Sequence, residues 1–168
     1  MSSLKWSLSH AVFVPEIDDE HKEIFEALAK LEQALDTASP LPQIQELTQR
    51  LVARAEEHFA HEERLMRAAR YESLRWHKQQ HDGVRKRARQ FAPLIEDGDV
   101  EAGRTLVEYL KSWLRDHTRL ADRMMGAFLR NQSLCKLTIR AGTKPADACE
   151  WIDSKGEKFD PLPSKCRC

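Results

Sequence analysis

Seven side chains able to ligate a metal recur along the chain at spacings that a helix turns into shared faces. His58 and Glu62 are four residues apart, as are His77 and His81. At 3.6 residues per turn, each pair lies on one helix face and can grip one ion. His21 sits on an earlier stripe and His117 on a later one. Asp122 follows His117 by five residues, about 140° round an ideal helix, too far to chelate one ion head-on but able to reach sideways toward a second. Except for Asp122, just off its seam, these groups stand where apolar residues are expected, and burial there is costly without a partner. Mixed nitrogen and oxygen donors suit iron, zinc, manganese or copper, and seven are too many for one zinc, so the pattern points to two ions.

Bringing these groups together requires four helices. The first begins near Asp18, after Pro15, and carries the stripe His21, Ile24, Leu28, Leu31 and Leu35. After the break at Ser39-Pro40-Leu41-Pro42, a second runs from about Pro42 to Met66 with Ile44, Leu47, Leu51, Ala55, His58, Glu62 and Leu65 inward. A third turns in His77, His81, Val84, Ala88, Phe91 and Ile95. Beyond the loop Glu96–Asp99, a fourth turns in Leu106, Leu110, Trp113, His117, Leu120, Met124 and Phe128. Short loops make neighbours antiparallel, which predicts an all-α, up-down-up-down four-helix bundle over residues 1–131, with residues 4–17 as an extended N-terminal arm. Residues 132–168 read as a short irregular tail, with Leu137–Ile139 and Cys149–Ile152 as the strands of a small hairpin.

Of the 168 residues, 41% are hydrophobic and 32% charged, at a formal net charge of zero. That is a globular composition with no basic footprint for nucleic acid and no general attraction to an anionic membrane. No run of eighteen apolar residues suggests membrane insertion and Met1–His10 lacks a secretory apolar core, so the expected location is cytoplasmic. The four cysteines, Cys135, Cys149, Cys166 and Cys168, all fall in the tail. Inert thiols, a zinc site and a disulfide are the alternatives for them.

The strings Ile17-Asp18-Asp19-Glu20-His21-Lys22, His58-Phe59-x-x-Glu62-Glu63-x-Leu65-Met66, His77-x-x-x-His81 and Trp113-Leu114-x-x-His117-x-x-x-x-Asp122 resemble the hemerythrin family in its bacterial single-domain form, the bacteriohemerythrins. The likeness covers about residues 4 to 130. It implies a non-haem di-iron centre (Fe2+/Fe3+): His77, His81 and His117 on one iron, His21 and His58 on the other, and Glu62 and Asp122 bridging both beside a solvent-derived oxo or hydroxo group. The iron with fewer nitrogens keeps an open position, where the resemblance places dioxygen. It also implies an apolar oxygen pocket of Ile24, Phe59, Trp113 and Leu114, with Thr118 where isoleucine is common and a hydroxyl is expected to alter autoxidation. The implied function is reversible dioxygen binding, for carriage, storage, delivery to an oxygen-consuming enzyme or sensing, and not enzymatic turnover.

Two rivals remain at this point. A di-iron oxidase of the ferritin-like kind needs Glu-x-x-His pairs, and the chain has none, whereas histidine-rich ligation leaves a peroxidase or nitric oxide-handling enzyme as the open form of this rival. A structural or iron-storage metal bundle is the other. Outside the seven, His61 is expected on the bundle surface and His10 on the surface or in arm packing. Glu63 is expected to be solvated, and Arg85, Lys86, Arg87 and Arg89 to form a solvated basic face.

Overall fold

The protein is described by a computed structural model covering residues 4–140, with side chains placed through residue 132. Helix α1 spans Pro15–Asp36, α2 Leu41–Ala68, α3 Leu74–Glu96, α4 Val100–His117 and α5 Arg123–Arg140. A π-helical turn, Thr118–Asp122, joins α4 to α5 without leaving helical dihedrals. Helix α1 packs on α2 and α4, and α3 packs on the same two, which closes the square of an antiparallel bundle. Among the described residues there is no strand, and no helix is long and apolar enough to cross a membrane.

Local chemistry sets the helix ends. Pro15 opens α1 where a missing N–H costs nothing, and Glu16 and Asp18 in its first turn complement the macrodipole. The Asp99 carboxylate caps α4 by accepting from the Ala102 N–H at 3.0 Å. Where α1 meets α4, Gly103 permits close approach, since a Cβ there would lie 3.1 Å from Leu35 Cδ2. Phe25, Leu28, Leu31, Leu35, Ile44, Leu51 and Leu106 belong to the main apolar core of the bundle.

The arm is more ordered than an extended lead-in. A short 3-10 turn at Leu8–His10 buries His10 against the Phe25 ring, at 4.8 Å between centroids. The chain then turns through Phe13 at a positive φ of 60°, a conformation costly for a bulky residue and kept only where its surroundings enforce it. Asp18 does so: Oδ1 accepts from the Val12 N–H at 2.8 Å and Oδ2 from the Phe13 N–H at 3.0 Å. Asp18→Ala is expected to lower stability by about 1.5–3 kcal/mol, the usual value of hydrogen bonds to a charged group. Urea denaturation checks this, and an unchanged midpoint would mean the clamp contributes nothing.

Residues up to Ala127 cluster as one compact unit and Phe128 opens a second. The expected strand at Leu137–Ile139 is instead part of α5, as continuous helical dihedrals leave no extended segment to pair. Its partner strand, and Cys149, Cys166 and Cys168, lie outside the described residues.

Candidate metal centre

Four helices deliver the seven groups to one buried place. His21 comes from α1, His58 and Glu62 from α2, His77 and His81 from α3 and His117 from α4, with Asp122 from the π turn, and all are buried. The turn explains how residues five apart share a target. A π-helix brings i and i+5 into register, so His117 Nε2 and Asp122 Oδ1 lie 2.9 Å apart. The ideal-helix estimate of 140° therefore does not apply to this segment.

The donors form two groups that share both carboxylates. Glu62, His77, His81, His117 and Asp122 offer ligand atoms all within 4.8 Å of one another, and so do His21, His58, Glu62 and Asp122. Each carboxylate splits its oxygens between the groups. Glu62 Oε2 lies 3.2 Å from both His77 Nε2 and His81 Nε2, while Oε1 faces His58 Nε2 at 3.6 Å. Asp122 Oδ1 lies 3.1 Å from His77 Nε2, while Oδ2 lies 3.2 Å from His21 Nε2.

These atoms make poor hydrogen bonds to each other. His21 Nε2, Glu62 Oε1 and both Asp122 oxygens are buried with no partner in hydrogen-bond geometry, an arrangement expensive to keep on its own. Lone pairs converging on a common point are what cations require, so the residues fit a pair of metal ions.

Neighbouring side chains orient the imidazoles from behind. His58 Nδ1 donates to Glu20 Oε2 at 2.9 Å, His117 Nδ1 to Gln80 Oε1 at 3.0 Å and His81 Nδ1 to Glu63 Oε1 at 3.4 Å. Each bond directs Nε2 to the centre and fixes the tautomer. Glu63 is thus a correction: it is buried, not solvated, because His81, Arg67 and Arg85 surround its carboxylate. Arg85 is a second one. It is not a solvated cation, since it also pairs with Glu56 and Asp82 and lies over the Phe59 ring at 5.4 Å. His61, partly exposed as expected, donates to Glu20 Oε1 at 2.6 Å.

Sequence reasoning passed over Glu20, Gln80 and the role of Glu63, although a signal existed. Each is next to a metal-capable residue, Glu20 before His21, Gln80 before His81 and Glu63 after Glu62. One residue is a rotation of about 100°, which turns each toward the adjoining helix whose histidine it holds.

An apolar cavity of about 530 Å³ adjoins the centre, reaching His58, His117 and Asp122 and lined in part by Ile24, Phe59, Trp113 and Leu114. Phe59 stacks on His81 and Trp113 on His117, each at 4.1 Å between centroids, and the two rings meet edge-on at 5.5 Å. Thr118 is buried but does not line the cavity; its hydroxyl donates back to the Arg115 carbonyl at 3.4 Å.

The family model for the hemerythrin HHE cation binding domain matches residues 12–129. The chain belongs to the hemerythrin family. Hemerythrin from Themiste dyscrita is 32% identical over 117 residues, 70% of this chain and 86% of that one. A bacteriohemerythrin from Ralstonia nicotianae is 38% identical over 78 residues, 46% of this chain and 57% of its own length. The matched segment thus spans little more than half of that relative. A crystal structure of a hemerythrin variant superposes with a TM-score of 0.71 at 24% identity, covering 77% of this chain and 98% of that one, which supports the fold.

Without metal, the charges in this centre lock one another. Burial works to lower the His77 pKa, but the adjacent Asp122 and Glu62 carboxylates outweigh it and push the value up to about 9. Burial and mutual repulsion tend to raise Glu62, yet His58, His77 and His81 hold it well below the carboxylate range. Asp122 is held low against burial by His117, His21 and His77. A raised histidine contributes stability to the metal-free protein that is complete below its ordinary 6.5 and is lost as pH rises through about 9. Metal ligation needs His77 neutral, so uptake at pH 7 must expel its proton. Adding Co(II) to metal-free protein in weak buffer should release at least about one proton per chain at pH 7, and clearly less at pH 10. Equal release at both pH values in a pH-stat would contradict this.

Proposed function

We propose that this chain binds dioxygen reversibly at two non-haem iron ions held by His21, His58, Glu62, His77, His81, His117 and Asp122. The observation that carries the reading is the division of each carboxylate between two donor groups, as a bridged pair of ions requires. When bound, two ferrous ions supply the electrons and the Lewis acidity that dioxygen binding draws on.

The protein supplies position and dryness. One group offers five protein donors and the other four, so the His21–His58 side is the one with room for a small ligand. Phe59 and Trp113 hold the His81 and His117 ring planes by stacking. With Ile24 and Leu114 they keep water from the place where dioxygen would sit, which slows loss of reduced oxygen species. Five neutral imidazoles against two carboxylates favour binding over the carboxylate-rich ligation of oxidases, so we read a binding protein and not an enzyme. The functional unit is residues 1–131, cytoplasmic, serving carriage, storage, delivery or sensing of oxygen.

Oxygen uptake tests this. Metal-free protein reconstituted anaerobically with Fe(II) is expected to take up about one dioxygen per two irons and to return it under argon. Continuing oxygen consumption with accumulating peroxide would replace the reading with an oxidase.

A further inference from the structure

His61 is not among the seven metal-capable residues of the centre, yet it shares a carboxylate with one of them. Glu20 Oε1 accepts from His61 Nδ1 at 2.6 Å and Oε2 from His58 Nδ1 at 2.9 Å. With both oxygens engaged, the carboxylate cannot rotate to follow one ring without releasing the other. His58 and His61 are three apart on α2, so they present adjacent rings to Glu20 on α1. The His58 side chain is 3% exposed, whereas that of His61 is 23% exposed, in the wall of a polar cleft that also includes Glu23, Arg54, Glu57 and Arg64. Glu63, by contrast, is fixed behind His81 by two arginines. Among the described residues, His61 is the one hydrogen-bond partner of the Glu20 carboxylate besides His58.

We propose that His61 is a positioning residue for the two-histidine subsite: by pinning Glu20 it fixes the His58 ring plane, and so sets metal affinity there without affecting the three-histidine subsite. The inference rests on the metal reading above. Loss of such an outer hydrogen bond to a metal-ligating histidine typically costs about 10–100-fold in affinity. His61→Leu removes the bond and keeps the bulk. In His61→Asn the side-chain amide nitrogen takes the place of Nδ1.

Full-length protein loaded with iron is titrated with a chelator, and iron retained per chain is followed. The expected result is that His61→Leu releases one of its two irons at about tenfold lower chelator activity, the other at the wild-type midpoint, and that His61→Asn restores the wild-type curve. In the metal-free protein, the downfield NMR signal of the His58 Nδ1 proton should broaden in His61→Leu and persist in His61→Asn. Glu20→Gln, which keeps the volume but only one acceptor oxygen, should reproduce the selective loss. Both irons leaving in parallel, or both midpoints unchanged in His61→Leu, overturns the proposal. Wild-type protein that holds no iron pair overturns the metal reading and the brace with it.

Discussion

Glu62→Ala should cost the coupled pair of irons, leaving well under one iron per chain where the wild type holds two. The carboxylate lies between the donor groups, with Oε2 3.2 Å from His77 and His81 and Oε1 toward His58, so its removal takes an oxygen from both subsites at once. The remaining nitrogens crowd around one fewer negative charge in a buried place. A variant lacking a terminal imidazole such as His21 would weaken one subsite and leave the other its five donors. Iron analysis after a chelator wash distinguishes the two patterns. Two tightly held irons in Glu62→Ala would show that the carboxylate is not shared.

Phe59→Ala carries the other large effect. The ring is 2% exposed, stacks on His81 and meets Trp113 edge-on. Deleting it enlarges a cavity that already adjoins the centre, at a cost of about 3–5 kcal/mol for a buried Phe→Ala change. It also removes the apolar surface beside the His58–His117 side of the site, so water enters and autoxidation should quicken by at least about tenfold, the equivalent of 1.4 kcal/mol. Denaturant unfolding and the decay of the oxygenated spectrum read the two effects separately. A destabilised variant with an unchanged decay rate would assign Phe59 to packing alone.

Much of this arrangement is legible in the sequence because its strongest signals are periodic. A histidine in place of leucine on an apolar stripe stands out on each of α1 to α4, and the i,i+4 pairs at His58 and Glu62 and at His77 and His81 fix which face they share. The π turn is not legible in that way. Residues Thr118–Asp122 look like ordinary helix, and only the target shared by His117 and Asp122 requires the extra residue per turn. Glu63 and Arg85 are illegible for a related reason: polar residues flanking a seam resemble solvated ones until the adjoining helix supplies an imidazole or a carboxylate. The arm needed tertiary information too. Asp18 reads as a first-turn acid favouring the helix dipole, whereas in the fold it also grips two backbone N–H groups of the arm.

The most direct measurement is the optical spectrum of the ferrous protein, recorded anaerobically, in air and again after argon. Reversible dioxygen binding at an iron pair predicts a visible band that appears in air, disappears under argon and returns in air over several cycles, with two irons per chain throughout. A protein that stays colourless in air, or one whose band forms once and cannot be removed by argon, would contradict it.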